Sequence, residues 1–180
     1  MVYVLLGNGF EEMEAIAPID LLRRAEIPVL TVGVNGKEIR GSHGIGVVAD
    51  ITLPEMDLTD LDMIVLPGGL GGVASARGSQ EALDALQFAW ENGKYVAAIC
   101  AGPTVLADLH ITDGLQATCY PGCETGMGAA KMQENQAVVR DGNLITATSA
   151  GCAVKFGLAL IAALKGEAAM KAVEKQIVIR

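Results

Sequence analysis

Two patterns of apolar and polar positions alternate along the chain. Val2–Leu6 is an unbroken apolar run closed by Gly7-Asn8-Gly9, the pattern of a strand buried on both faces. Over Glu11–Ala25 the period changes: Met13, Ile16, Ala17, Leu21 and Leu22 recur at helical spacing, acidic residues fill the first turn, and Pro18 predicts a kink. Ile27–Val34 reads as a second strand and Ile45–Ile51 as a short strand or hairpin arm. Asp62–Pro67 is a strong third strand, stopped by Pro67-Gly68-Gly69. Ser79 predicts an N-cap for a helix over Glu81–Glu91, which carries Leu83, Leu86 and Trp90 on one stripe and ends at Gly93. Lys94–Ile99 is a fourth strand running into a helix over Ala101–Leu109. Weaker strands are expected at Gln116–Cys119, Ala137–Val139 and Leu144–Thr148, then helices at Gly151–Leu164 and Glu167–Lys175, with Gln176–Arg180 an extended tail.

Alternating β and α elements with short connections predict an α/β fold, a mostly parallel sheet covered on both faces. No linker, repeat or charge block divides residues 1–180, so one domain is expected. In such sheets ligands bind beyond the carboxyl ends of the strands. Three loops qualify: Gly7–Glu14, Pro67–Gly72 and Ile99–Pro103.

Composition narrows the function. Half the 180 residues (51%) are hydrophobic, enough for a sizeable core. With 13 Lys and Arg against 21 Asp and Glu, the net charge of −8 argues against nucleic acid and anionic lipid as direct partners. No apolar run approaches the ~20 residues of a membrane span. Met1–Gly7 lacks a basic leader and a cleavage site, which makes the cytoplasm the expected compartment. There, Cys100, Cys119, Cys123 and Cys152 are expected as free thiols. The two histidines, His43 and His110, are too few for most metal sites, and no metal or cofactor is expected.

Cys100 is the most informative residue. It ends a buried strand and opens a helix, beside the small Ala101 and Gly102, as in a nucleophile elbow. The helix end and the following amides are expected to lower its pKa; the alternative is an inert core thiol. Pro67–Gly72 is not a phosphate loop, because the Gly-Lys-Ser/Thr ending is missing, and Gly7–Glu12 is not a dinucleotide fingerprint, because Glu12 stands at the third glycine. Gly68 and Gly69 instead suit close backbone approach and N–H donation to an oxyanion. Among Glu11, Glu12 and Glu14, spacing alone does not choose the one that reaches Cys100. Cys119 and Cys123 form a C-x-x-x-C pair without further metal ligands, read as surface or half-buried thiols, with a resolving role for an oxidised Cys100 as the alternative. His43 lies in a glycine-rich turn, and His110 is expected to cap a helix end.

Three segments together carry a resemblance. Gly9-Phe10-Glu11-Glu12-Met13-Glu14, Val65-Leu66-Pro67-Gly68-Gly69 and Ala97-Ala98-Ile99-Cys100-Ala101-Gly102-Pro103 are similar, in order and separation, to motifs of the DJ-1/PfpI superfamily, DJ-1-like branch, and the resemblance runs nearly the full length. It implies a flavodoxin-like three-layer sandwich, usually a homodimer. It makes Cys100 the nucleophile and oxidation-sensitive thiol and Glu14 its carboxyl partner, with the amides of Gly69 and Ala101 as the oxyanion site. It implies cofactor-independent chemistry on α-oxoaldehydes or their early glycation adducts (glyoxalase III or deglycase type). The competing role is an oxidative-stress sensor or redox-responsive chaperone using the same thiol. Tyr120 stands where members often have a histidine near the nucleophile, which weakens a peptidase reading. His43 stands where many have an arginine, and Ala150-Gly151-Cys152-Ala153 replaces a Gly-Pro-Gly-Thr-like segment, bringing Cys152 near the expected site.

Overall fold

The computed structural model describes residues 1–133 and 135–179. In chain order the elements are β1 (Val2–Leu6), α1 (Glu12–Arg24), β2 (Val29–Gly33), β3 (Glu38–Arg40), β4 (Gly46–Val48), β5 (Ile51–Thr52), β6 (Met63–Leu66), α2 (Leu70–Arg77) and α3 (Gln80–Glu91). They continue with β7 (Tyr95–Ile99), α4 (Pro103–Asp108), β8 (Gln116–Ala117), β9 (Lys131–Met132), β10 (Val138–Asp141), β11 (Leu144–Ala147), α5 (Ala153–Lys165) and α6 (Glu167–Gln176).

Seven strands form the main sheet in the order β10-β11-β7-β6-β1-β2-β5. All neighbours are parallel except β10 and β11, a hairpin closed by Gly142-Asn143 with Gly142 at φ +60°. The two-residue loop makes this edge antiparallel; a parallel pairing would need a crossover. This is the flavodoxin-like α/β sandwich. The apolar runs of the central strands are explained by their two buried faces. Val2, Val4 and Leu6 point into a core with α1, α5 and α6, through Leu22, Phe156, Ile161 and Val173. Tyr3 and Leu5 point the other way, into a core with α2, α3 and α4, through Val73, Leu86 and Val105.

After β2 the chain returns past β1 to add β6, β7 and β11 on its other side. The direction of winding therefore switches between β1 and β6. The loops that leave the carboxyl ends of these two strands diverge there and open a crevice, with the end of β7 alongside. All three candidate loops stand at this switch point.

Several expectations needed correction. Leu70–Arg77 is a helix despite Gly71 and Gly72. A Cβ on Gly71 would lie 2.7 Å from the Asn8 carbonyl oxygen, and one on Gly72 would lie 2.8 Å from Phe10 Cα. The glycines let α2 press onto the β1–α1 loop. Ile45–Ile51 splits, β4 pairing with β3 and β5 joining the main sheet at β2. Helix α1 runs unbroken through the buried Pro18. Gln176 is the last residue of α6, and Val178 follows at φ +55°, so the segment is no extended strand; Arg180 lies outside the described residues. Ser79 does cap α3, its hydroxyl accepting from the Ala82 N–H at 3.3 Å, and His110 follows α4 at φ +59° with its ring on Asp113 at 3.0 Å.

Helices α1 and α5 cross in close contact at Gly157. A Cβ there would meet Leu21 Cδ1 at 2.6 Å and the Pro18 Cα at 3.0 Å. Gly157→Val is expected to force the helices apart and to destabilise the protein by about 1–3 kcal/mol, read as a lower urea midpoint.

Candidate active site

Cys100 sits at φ +64°, in the left-handed region that a residue with a Cβ occupies only at a cost of order 1–3 kcal/mol. The surroundings impose it. The Cys100 N–H donates to the Ala147 carbonyl at 2.9 Å, continuing the β7–β11 pairing, and its carbonyl accepts from the Tyr120 N–H at 2.8 Å. Gly102 turns back to donate to the Ile99 carbonyl at 2.9 Å, and a Cβ on Gly102 would lie 2.7 Å from the Leu66 carbonyl oxygen. The strand thus breaks sharply into α4, leaving the half-buried Cys100 side chain against one core and the Ala101 side chain in the other. The expected elbow is present.

Glu14 meets this elbow from α1. Its side chain has no exposed surface, and Oε2 accepts from the Gly68 N–H at 2.9 Å. Oε1 is buried with no hydrogen-bond partner among the described residues. Gly68 is wedged between the two functional groups: a Cβ on it would come within 2.5 Å of Glu14 Oε2 and 2.7 Å of Cys100 Cβ. Its N–H is spent on Glu14, which removes it from the expected oxyanion donors. The amides of Ala101 and Gly69 face the Cys100 sulfur. Gly69 achieves this at φ +85°, where a side chain would run into the backbone of Gly9 through Glu11.

The electrostatics correct one expectation. Burial raises the Glu14 pKa and, with help from the Glu11 charge, outweighs the stabilising contacts from Cys100 and the Gly68 and Ala150 amides, giving about 7. Burial, then the charge and hydrogen bonding of Glu14, push the Cys100 thiol up to about 12 against the pull of the Ala101 and Gly69 amides. The expected lowering by the helix end fails because burial and Glu14 outweigh the pull of the amides at the start of the short α4. Two acids buried together resist a second negative charge, so they share one proton. When that proton sits on Glu14, the repulsion that holds the thiol up is gone.

The three N-terminal glutamates separate into three jobs. Glu11 is the N-cap of α1, its Oε2 accepting from the Glu14 N–H at 2.8 Å. Glu12 is buried, and burial opposes its charge, but the His43 ring (2.9 Å), the His43 N–H (2.7 Å) and the Ser42 hydroxyl (3.2 Å) hold it down to about 2. The contact with Glu12 in turn raises the His43 pKa. His43, 72% exposed, is therefore turned to Glu12 and not to the sulfur. Glu11, Glu12 and His43 bring one ligand atom each within 4.8 Å of one another, which makes them the only such triad among the described residues. The Glu12 carboxylate is already held by His43 and Ser42.

Tyr120 touches the elbow through its backbone, while its side chain is exposed. Cys152 heads α5, its sulfur 3.1 Å from the Thr148 hydroxyl, two residues past the Ala150 amide that faces Glu14. Sequence reasoning missed that amide and the Ala147 carbonyl; a glycine soon after the last strand of the sheet was the available signal. Cavity size does not mark the site. A groove of about 530 Å³, lined by Ile27, Lys94, Tyr95 and Leu164 among others, lies at the opposite, amino ends of the strands. No helix of the described residues is long and apolar enough to cross a membrane.

Comparison with known proteins shows the family. The DJ-1/PfpI family model matches residues 1–163. The Drosophila melanogaster protein dj-1beta is 36% identical over 178 residues, 98% of this chain and 95% of that one, and its crystal structure superposes with a TM-score of 0.95, covering 99% and 97% of the two chains. A structure titled as oxidized Toxoplasma gondii DJ-1 is 30% identical with a TM-score of 0.91, covering 98% and 97%. A Pyrococcus horikoshii protein named as a deglycase is 32% identical over 146 residues, 81% of this chain and 87% of that one. The elbow, the acidic start of α1 and the glycine turn after β6 thus stand in a chain that belongs to the DJ-1/PfpI family.

Proposed function

We propose that this protein is a cofactor-independent cysteine enzyme acting on α-oxoaldehydes or on the early adducts they form with amines. The observation that carries the reading is the buried Glu14 carboxyl, with one oxygen fixed by the Gly68 amide and the other unpartnered, packed on the same glycine as Cys100. That is the arrangement of a nucleophile with its own acid and base. The deglycase name of the Pyrococcus horikoshii relative supports the reaction class.

Transfer of the shared proton to Glu14 leaves Cys100 as thiolate. The sulfur attacks the aldehyde carbon; a C–S bond forms and the carbonyl electron pair moves onto oxygen, where the Ala101 and Gly69 amides receive the charge. Protonation of that oxygen by Glu14 gives a hemithioacetal. The carboxylate then takes the proton from the former aldehyde carbon and returns it to the adjacent ketone carbon, while the hydroxyl proton passes from the first oxygen to the second as the first C–O bond becomes a carbonyl. The product is a thioester of the 2-hydroxy acid, and water cleaves it and frees the thiol. His43 and Tyr120 are proposed to shape the entrance, His43 through its grip on Glu12.

A second reading has its own support. The same unpartnered Oε1 can donate to an oxygen of a sulfinate on Cys100, which would make oxidation at this thiol a stable signal. The solved structure of an oxidized relative favours keeping it.

The chain is further proposed to form a homodimer. The grip of Glu12 on His43 and Ile45 brings the start of the β3–β4 arm, with exposed Ile45, to the first turn of α1, where Met13 is exposed. Apolar side chains clustered in this way are a surface for a second copy.

Methylglyoxal supplied without glutathione should yield lactate of one hand. Cys100→Ser should fall to background, and Glu14→Gln should lose about 10²–10⁴ in rate. Full turnover by Cys100→Ser would overturn the scheme, and no turnover with selective peroxide oxidation of Cys100 would transfer the assignment to the sensor. The pH dependence of stability is a separate check. Because the folded pKa of Glu14 is raised to about 7 from 4.5, its contribution is fully present below 4.5 and is lost as pH rises through 7. The urea midpoint should therefore decline between about pH 5 and 8, and the decline should be smaller in Glu14→Gln; equal slopes would show that Glu14 does not titrate there. For the dimer, Met13→Glu should convert the sedimenting species to monomer, and an unchanged species would place the interface elsewhere.

A further inference from the structure

The C-x-x-x-C pair takes no part in the chemistry above, yet its two residues meet at one carbonyl, Cys119 through its thiol and Cys123 through its backbone N–H. Tyr120, Pro121, Gly122 and Cys123 form a tight turn, with the Cys123 N–H donating to the Tyr120 carbonyl at 2.9 Å and Gly122 at φ +98°. The thiol of Cys119 donates to that same Tyr120 carbonyl, with the sulfur at 3.5 Å. Both side chains face the same core: Cys119 is buried in it and Cys123 is half-buried against it. The turn thus folds the chain between the two cysteines back on itself, with Cys123 partly exposed and Cys119 buried. Burial, then the Glu124 carboxylate and the nearby Cys123, raise the pKa of the Cys119 thiol.

We propose that Cys119 and Cys123 are a second oxidation site, a dithiol that closes to a disulfide on reaction with hydroperoxides and reopens with thiols. The half-buried Cys123 thiolate attacks the peroxide; an S–O bond forms, the O–O bond breaks, and sulfur is oxidised to sulfenic acid as hydroxide leaves. The Cys119 sulfur then attacks the sulfenic sulfur. An S–S bond forms and the S–O bond breaks, and the departing oxygen takes the Cys119 proton and leaves as water. Two thiols and one peroxide thus give one disulfide and two waters. The turn so closed is the one whose Tyr120 N–H holds the Cys100 carbonyl at 2.8 Å, so the cross-link tightens the support of the elbow.

The test uses the full chain with Cys100 and Cys152 both changed to Ser, leaving only this pair. After one equivalent of hydrogen peroxide, free thiols are alkylated with N-ethylmaleimide and the protein is digested with trypsin. Both cysteines fall in one peptide, Tyr95–Lys131, because no Lys or Arg stands between Lys94 and Lys131. That peptide should lose two hydrogen atoms, refuse alkylation, and regain two alkylatable thiols after dithiothreitol. The further change Cys123→Ser, at a half-exposed position that the core tolerates, should abolish the mass loss; Cys119→Ser should do the same wherever it folds. A peptide that stays doubly alkylated, that gains oxygen at Cys123 without cross-linking, or that links only to a second chain would overturn the proposal.

Discussion

One carboxyl group with no access to water organises the site. Glu14 is buried at the switch point of the sheet, where leaving it charged and unsupported would cost several kcal/mol. The Gly68 amide anchors one oxygen, and that anchor exists because the β6 strand ends in a turn with no side chain between Glu14 and Cys100. The remaining oxygen is left without a partner. A carboxyl in this state favours its proton, and the nearest group able to exchange it is the thiol.

The elbow supplies the other half of that constraint. Holding Cys100 at positive φ is unfavourable by itself, and the cost is offset by the bonds to Ala147 and Tyr120 and by the fit of Gly102 against β6. These contacts come from β11, from the segment after β8 and from the end of β6. The sulfur is therefore positioned by elements far apart in the chain. Local strain of this kind survives only where the surrounding fold over-determines it. It also explains why the thiol is directed toward the Ala101 and Gly69 amides instead of sinking into the core as an ordinary buried cysteine.

Around this centre the chain has substituted its own solutions. His43 and Ser42 satisfy the Glu12 carboxylate, a second buried acid two residues from Glu14. The same grip ties the start of the β3–β4 arm to α1, at the apolar surface proposed for a dimer. Cys119 and Cys123 stand behind the elbow rather than in it, so one turn joins the two thiol sites through a single backbone bond.

Much of this was legible from local pattern. Unbroken apolar runs at Val2–Leu6, Asp62–Pro67 and Lys94–Ile99 identify strands covered on both sides, and the strand-to-helix step at Cys100 with its small neighbours identifies an elbow. Both follow from periodicity and side-chain size, which act within a few residues. Helix α2 was not legible, because Gly71 and Gly72 argue against a helix until the β1–α1 loop they must admit is seen. The joining of β5 to β2 and the contact of His43 with Glu12 also depended on partners distant in sequence. The thiol acidity was misread for the same reason: helix position suggested a lower value, but burial and Glu14 act through space. By itself the sequence determined the order of elements and the loops that could hold chemistry. Which of three neighbouring glutamates entered the site was decided only when α1 packed on the sheet and α5, since that packing sets the rotation of the helix and turns Glu14, alone of the three, to the sulfur.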